Sequence, residues 1–226
     1  MYSWGGRSGN SGLLGHGSET SQRIPKNLNG SLEGIHDSSV SCGPWHTAVV
    51  TSTGQLFTFG DGKFSVLGHG DRKSVSVPRE AEFLKILLTV RVACGVWHTA
   101  VVVEVMVGSP STSNCSSRKL VTWGDGDKGH LSHGEREARL VPTCVATLDE
   151  SIFCKVSCGH SMTIALTTNG HVYTMGSHVS GQLGNPQAVE ELPICVEGKL
   201  TKNFVQEIAC GAFHVPVITS KTEVYT

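Results

Sequence analysis

Cysteine and histidine stand four residues apart at three places in the chain, a spacing that could serve metal binding. The pairs are Cys42/His46, Cys94/His98 and Cys210/His214. A closed zinc site needs four converging ligands, usually with its cysteines two to four residues apart. The three pairs are far apart in sequence, and Met162 stands where another histidine would continue the series. We therefore expect buried structural cysteines and histidines that satisfy backbone groups, with no metal and no cofactor.

Nucleophilic catalysis would need a cysteine or serine beside a base and an orienting acid, all assembled at one place. Here the cysteine and histidine recur along the chain, which indicates a scaffold. The Gly-rich segment from Gly5 to Gly12 matches neither a phosphate-binding nor a dinucleotide-binding fingerprint. Cys154 and Cys158 lie four apart on one predicted strand, where a disulfide is geometrically poor. The sequence therefore predicts no catalytic residues.

Composition narrows the class of protein further. The 226 residues include 18 basic and 19 acidic side chains, a net charge of −1. Without a basic excess we expect no direct binding of nucleic acid. No apolar run is long enough for a membrane span, and no signal peptide is recognisable at the start. We expect an intracellular protein, cytoplasmic or nuclear, with free thiols and no membrane contact of its own.

Four short motifs recur in one order along the chain. A Cys-Gly motif is followed by an aromatic strand ending in Gly, then by a Leu-Gly-His-Gly segment or a variant of it, and then by a proline. The motifs begin or end at Cys42, Cys94, Cys158 and Cys210; at Gly5, Gly60, Gly124 and Gly176; at Leu14, Leu67, Leu131 and Leu183; and at Pro25, Pro78, Pro142 and Pro193. The recurrence of these four motifs at similar intervals indicates an array of repeated units.

Each unit predicts a small antiparallel sheet. The Cys-Gly motif leads into a short apolar run, and a turn such as Asn169-Gly170 favours a hairpin. Short strands at a fixed period select a β-propeller over a sandwich. We expect an all-β partial β-propeller of about four blades, forming a single repeat array over 1–226. Its units would be 1–40 (partial), 41–92, 93–156, 157–208 and 209–226 (partial).

The unit 93–156 is longer than its neighbours. Its extra residues fall where the other units have a hairpin turn, and they include Gly108-Ser109-Pro110-Ser111, a composition typical of exposed loops. A hairpin tip can be lengthened without disturbing the ladder. We therefore predict a loop insert at 104–119.

With these motifs the chain resembles the regulator-of-chromosome-condensation repeats, in segments such as Ala93–Val102 and Thr122–Gly129. The resemblance implies about half of a seven-bladed propeller. It also implies either a non-enzymatic scaffold for a protein partner or a guanine-nucleotide exchange factor for a small GTPase. The same segments are similar to plant proteins that also carry PH and FYVE domains, which are not visible here. Lipid contact would come only through such domains.

Three positions depart from the repeat pattern. Ser132 replaces a repeated glycine, at a cost on the order of 1 kcal/mol if that glycine has a positive φ. Pro216 lies where the other units have alanine, and it removes a backbone N–H from the ladder. Met162 replaces the repeated histidine. These departures predict less regular blades in the C-terminal half.

Charged residues in the non-repeating loops are the candidate protein-binding site. Loops of a propeller gather at the ends of the disc, where they can form a binding surface of mixed charge. The candidates are Arg7, Asp61, Lys63, Asp71, Arg72, Lys73, Asp125, Asp127, Lys128, Glu135 and Arg136.

Overall fold

The computed structural model describes residues 1–6, 12–28, 32–107 and 115–226. Within these ranges the regular structure is β-strand apart from three short 3-10 helices, and none of the helices could cross a bilayer. The strands are β1 (Tyr2–Gly5), β2 (Gln22–Asn27), β3 (Asp37–Cys42), β4 (His46–Thr51), β5 (Leu56–Gly60), β6 (Val75–Glu80), β7 (Leu88–Cys94), β8 (His98–Val107), β9 (Cys115–Gly124), β10 (Arg139–Cys144), β11 (Phe153–Cys158), β12 (Met162–Thr167), β13 (Val172–Gly176), β14 (Ile194–Cys195), β15 (Val205–Ile208), β16 (Val217–Thr219) and β17 (Val224–Tyr225).

The strands form five antiparallel sheets in chain order. Three sheets have four strands each, β3–β6, β7–β10 and β11–β14. A two-stranded sheet, β1–β2, precedes them and a three-stranded sheet, β15–β17, follows them. Each strand pairs with its neighbour in sequence, as in the blades of a propeller. The predicted all-β partial propeller is therefore confirmed.

The hydrophobic core lies between successive sheets. Val49 packs in a cluster with Leu28, next to the first sheet, whereas Val50 of the same strand packs with Val101 and Val103 of the following sheet. Alternate side chains of one strand point to opposite faces, so a strand with apolar residues on both faces binds a sheet on each side. This explains why every residue of β4 and β12 is buried.

The repeated cysteines mark a common axis. Cys42, Cys94 and Cys158 each end the first strand of a sheet, and Cys210 lies just beyond β15. All four line one shallow cavity with the glycines that follow them. The thiol of Cys94 donates to the carbonyl of the preceding blade at 3.4 Å, and burial raises its pKa to about 12. These cysteines are equivalent structural residues.

The two ends of the disc carry different connections. One end, the loop end, is formed by the turns 43–45, 95–97, 159–161 and 211–213 and by the long loops 12–21, 61–74, 125–138 and 177–193. The opposite end, the hairpin end, carries the hairpin turns 52–55 and 168–171. It also carries the three 3-10 helices, Glu82–Leu84, Ala146–Leu148 and Gly198–Leu200, which lead to the next blade.

The lengthened hairpin is more regular than the sequence predicts. The prediction of a loop insert over 104–119 is wrong at both its ends, because β8 and β9 stay paired from Glu104 opposite Arg118 to Val107 opposite Cys115. An ion pair of 3.0 Å between Glu104 and Arg118 joins the two strands. The segment 108–114 lies outside the described residues.

Prolines occupy the outermost strands of three sheets. Pro25, Pro78 and Pro142 lie within β2, β6 and β10, at the places where the pairing with the inner strand becomes irregular. A proline has no N–H to give to a ladder, so it is tolerated only at an edge or a bulge.

The two C-terminal departures from the repeat pattern, at Pro216 and Met162, affect the sheets differently. Pro216 gives no N–H to the ladder, although its carbonyl accepts the N–H of Ala209 at 3.1 Å, and β16 starts at Val217 with three residues, where β4 has six. The prediction of irregularity around Met162 is wrong, since Met162 is fully buried in a complete four-stranded sheet. A thioether fills an apolar site without needing a hydrogen-bond partner.

Replacing Ser132 with glycine is expected to raise the free energy of unfolding by roughly 0.5–1 kcal/mol. Ser132 has a φ of 58°, close to the φ of 73° at its counterpart Gly68, so glycine relieves backbone strain. Its buried hydroxyl also has no hydrogen-bond partner. Urea denaturation measures the change. The matched control is Gly68→Ser, which should destabilise, because a Cβ there would lie 2.7 Å from Nε1 of Trp123.

Candidate protein-binding surface at the loop end

The repeated histidine and threonine form hydrogen bonds between neighbouring blades. Nε2 of His46 lies 2.7 Å from Oγ1 of Thr99, and Nε2 of His98 lies 2.7 Å from Oγ1 of Thr163. Thr99 donates its own proton to the carbonyl of Val66 at 2.7 Å, so the histidine must be the donor to threonine. The expectation that these histidines satisfy backbone groups is therefore wrong, since their partners are hydroxyls.

Burial keeps these histidines neutral. It lowers the pKa of His46 to about 3, and it lowers the pKa of His98 well below the ordinary value. Both side chains are fully buried, and Nδ1 of each has no hydrogen-bond partner. Because these imidazoles are closed to solvent and bear no proton on Nδ1, they hold blades together and do not serve as acid or base for a substrate.

Both positions of this bond are apolar at the next junction. Met162 stands at the position of His46 and His98, and Val215, just before β16, stands at the position of Thr99 and Thr163. Donor and acceptor are thus lost together, which leaves no unpaired polar group behind.

A second histidine contact lies within two of the blades. Thr58 donates to the carbonyl of Leu67 at 2.7 Å and lies 3.0 Å from Nε2 of His69, and Thr122 and His133 repeat the arrangement. A catalytic hydroxyl must give its proton to the base. Here the hydroxyl proton is already bound to a carbonyl, and Nδ1 of His69 has no orienting partner. This geometry supports the loop that follows the strand.

The described residues offer no metal centre. No three histidine, cysteine, aspartate or glutamate side chains in the described ranges come together as potential ligands. Seven cysteines are free thiols: Cys42, Cys94, Cys144, Cys154, Cys158, Cys195 and Cys210. Cys154 and Cys158 lie on one strand, β11, as the spacing predicts.

The long loops interlock from blade to blade. The backbone N–H of Gly17 donates to Ser76 at 2.8 Å, that of Gly70 to Leu140 at 3.0 Å, and that of Gly134 to Glu191 at 3.1 Å. Each loop therefore rests on the outer part of the following blade. Backbone hydrogen bonds of this kind hold loop residues in fixed positions, which favours binding by reducing the entropy lost on association.

The structure places the predicted charged residues, apart from Arg7, in two neighbouring loops of this end. Arg7 lies outside the described residues. Lys63, Arg72, Lys73, Asp127, Lys128 and Arg136 are exposed, whereas Asp61, Asp71, Asp125 and Glu135 are partly buried. The loops thus bring ten of the eleven candidates to one surface.

Three of the candidate carboxylates also support their own loops. Asp61 accepts the N–H of Lys63 at 3.0 Å, and Asp71 accepts the N–H of Lys73 at 3.0 Å. Asp125 accepts the N–H of Asp127 at 3.3 Å in the same way. An aspartate that bonds the backbone two residues on stabilises a turn.

Arg136 links two blades. Its guanidinium lies 2.6 Å from a carboxylate oxygen of Glu190 and 2.7 Å from one of Glu191, both in the loop of the following blade. Glu135 pairs instead with Arg139 in its own blade. These two candidates therefore fix the position of the surface as well as contributing to its charge.

A row of aromatic rings crosses the same end and was not predicted. Phe64 contacts Trp97 with 4.5 Å between ring centroids, Trp97 lies 5.9 Å from His160, and His160 stacks on Phe213 at 5.2 Å. Each ring comes from a different blade, and we call this row the aromatic arc. Trp97 and Phe213 precede the histidine of the repeated motif, but Phe64 and His160 have no aromatic counterparts, so the motif gives no sign of their meeting.

One repeat family matches the chain over most of its length. The profile described as the regulator of chromosome condensation (RCC1) repeat matches residues 1–50, 53–102, 119–166 and 169–218. The chain is 32% identical to the human E3 ubiquitin-protein ligase HERC2 over 233 aligned residues, which span the whole chain but 4% of HERC2. It is also 32% identical to the ultraviolet-B receptor UVR8 of Arabidopsis thaliana, again over the whole chain but 48% of the receptor.

Two solved structures of the yeast protein Prp20 share the fold. One is bound to Kap60 and superposes with a TM-score of 0.74 at 18% identity, covering 95% of this chain and 48% of Prp20. The other has a TM-score of 0.71 at 19% identity, over 93% of this chain and 49% of Prp20. The chain thus spans about half the length of UVR8 and Prp20. With four repeats matched and the propeller geometry in place, the chain belongs to the regulator of chromosome condensation (RCC1) repeat family.

Proposed function

We propose that this chain is a non-enzymatic scaffold that binds a protein partner with its loop end. The observation that carries the proposal is the interlocked set of loops, which holds exposed charges of both signs beside the aromatic arc. Aromatic residues and arginine are enriched where proteins bind one another. The histidines that could have supported catalysis are instead used between and within blades.

The relatives support a binding role. The solved structures describe Prp20 bound to Kap60 and the binding of Prp20 to Gsp1p and histones. HERC2 is a ubiquitin ligase and UVR8 a light receptor by name, so one repeat fold serves several proteins with different activities. We therefore transfer protein binding by this fold and leave the whole-protein activities with the relatives.

Site-specific photocrosslinking tests the proposal. A photoreactive residue placed at Lys73 or Lys128 on the loop end should give a discrete adduct with a partner in cell extract. The same residue placed at Lys202, exposed at the hairpin end, is the matched control and should give none. Equal adducts from both ends, or adducts from Lys202 alone, would contradict the proposal.

Guanine-nucleotide exchange on a small GTPase is a second candidate. The long hairpin β8–β9 favours it, since it is the one described hairpin that extends well past its blade and could act as a wedge. An exchange factor should speed the release of labelled GDP from Ran or from Rab-type GTPases. Unchanged release across such a panel would remove the candidate and leave the scaffold proposal standing.

The resemblance to plant proteins with PH and FYVE domains remains a prediction, and so do lipid contact through such domains and an intracellular location. This segment is not expected to bind lipid by itself, because the chain has a net charge of −1 and therefore no overall basic excess. Anionic vesicles are therefore expected to leave it in solution in a sedimentation assay.

A further inference from the structure

A cavity of about 410 Å³ lies between the fourth sheet, β11–β14, and the fifth sheet, β15–β17. Small-molecule sites in proteins measure roughly 300–1,000 Å³, so the space is large enough for a ligand. Its apolar and aromatic lining comes from both sheets and from the 3-10 helix between them, and consists of Val172, Val196, Leu200, Val217 and Tyr225. Walls of this kind favour an apolar ligand.

The repeats show which kind of group fits this space. At the junction of the second and third sheets, the counterparts of these five side chains pack around Trp123 in one buried cluster. The counterparts are Leu56, Ala81, Leu84, Val101 and Val121. Trp123 is fully buried, and it follows Thr122, the counterpart of Thr226. Phe59 and Met175 take the same position at the two other junctions and are also fully buried. The space therefore fits a large apolar group, and at two of three junctions that group is an aromatic ring.

The loop beside the cavity has the conformation that holds an indole at the earlier junction. Gly68 and its counterpart Gly184 have φ values of 73° and 66°. The leucine before each glycine, Leu67 or Leu183, accepts a threonine hydroxyl at 2.7 Å. A Cβ on Gly68 would lie 2.7 Å from Nε1 of Trp123, so the indole requires glycine at this position. Gly184 leaves the same space free beside the cavity.

A backbone carbonyl is available for the N–H of an indole. Nε1 of Trp123 donates to the carbonyl of Val66 at 2.8 Å, and Gln182 stands at the position of Val66. Val66 also accepts the hydroxyl of Thr99, whereas Val215, at the position of Thr99, has no hydroxyl. Within the described part of the chain no donor is bonded to the carbonyl of Gln182, a residue that lines the cavity. The cavity therefore combines an apolar interior with a hydrogen-bond acceptor that still has capacity.

From this correspondence we propose that the cavity is a binding site for a small ligand that carries an indole ring. The ring lies against Gly184 between the two sheets, and its N–H donates to the carbonyl of Gln182. A phenyl ring would fill part of the space but has no N–H to give. This site is separate from the protein-binding surface proposed above, and neither proposal depends on the other.

Calorimetric titration with indole is the direct test. We expect saturable binding with a Kd of about 0.1–1 mM, because a ligand of this size makes few contacts. Indene has nearly the same shape and is more apolar, but it lacks the N–H, so it should bind roughly threefold more weakly or worse. Unselective apolar binding would instead favour indene. Binding of indene as tight as that of indole, or no saturable binding of indole, would overturn the proposal.

Gly184→Ala locates the site. Its Cβ would occupy the space that the indole needs, so indole should bind about tenfold more weakly or not at all. The matched control is Gly134→Ala, which has a similar φ of 80° but whose Cβ would meet nothing within 4 Å. It imposes the same backbone strain outside the cavity and should change the affinity less than about twofold. Equal affinities in the two variants would show that indole binds elsewhere, and the proposal would be wrong. The comparison of indole with indene needs no substitution, so it decides the matter even if Gly184→Ala is unstable.

Discussion

Thr163→Val should lower the free energy of unfolding by roughly 2–5 kcal/mol, because it leaves two buried polar groups without partners. The hydroxyl of Thr163 accepts the proton of His98 at 2.7 Å and donates to the carbonyl of His130 at 2.9 Å. Valine has nearly the same shape, so the loss comes from hydrogen bonding and not from a cavity. Chemical denaturation followed by circular dichroism measures it.

Thr47→Val is the matched control. Its hydroxyl donates to the carbonyl of Leu13 at 3.2 Å, and no histidine among the described residues donates to it. We expect a loss of about 1 kcal/mol. Thr163→Ser, which keeps the hydroxyl, should retain most of the stability. The importance of the bond between blades would be disproved if Thr163→Val and Thr47→Val cost the same.

Mild acid is expected to destabilise the protein, because several histidines are buried in neutral form. Burial lowers the pKa of His46 to about 3 and that of His130 to about 4, and it lowers the pKa of His98 well below its ordinary value. In the unfolded chain each pKa returns to the ordinary value near 6.5. Below that pH the unfolded chain binds protons that the folded chain does not.

The lowered pKa values of the buried histidines set the pH range over which stability is lost. The stability from a lowered histidine pKa is fully present above about pH 6.5 and is lost as the pH falls toward about 4 for His130 and about 3 for His46. Each such histidine contributes a limiting slope of about 1.4 kcal/mol per pH unit. Half-buried His69 and His133, whose pKa values burial also lowers, add to the effect in the same direction.

Urea denaturation between pH 7.5 and pH 5 is the measurement, since most carboxylates stay ionised in that range. His98→Gln keeps a donor for Thr163. It should reduce the slope of the free energy of unfolding against pH by nearly the contribution of one buried histidine. His171→Gln changes an exposed residue of a hairpin turn and should leave the slope as it is. A stability that stays constant down to pH 5 in the unsubstituted protein would contradict the neutral, buried state of these imidazoles.

The architecture could be predicted because its determinants are local and repeated. The spacing of Cys42, Cys94, Cys158 and Cys210 predicts equivalent positions, and the structure places all four around one axis. A proline closes the series of motifs in each unit, and three of these prolines lie in the outermost strands. Each such signal is a property of a few adjacent residues.

The surface could be predicted only in outline. The sequence indicates which loops are charged, but not that Asp61 and Asp71 would bond the backbone of their own loops or that Arg136 would reach the next blade. The aromatic arc was missed for a related reason. Phe64 and Trp97 are 33 positions apart in the chain, and their contact depends on the rotation between two blades. The same rotation decides that His98 meets a threonine and not a backbone group.

The prolines of the outer strands also affect how the protein can associate with other molecules. An exposed strand edge can recruit strands from other molecules and so start fibrils. In β2, β6 and β10 the proline lacks the N–H that such recruitment would use, and the irregular pairing around it prevents a flat edge. Oligomers that grow rim to rim are therefore disfavoured, and specific encounters are left to the two faces of the disc.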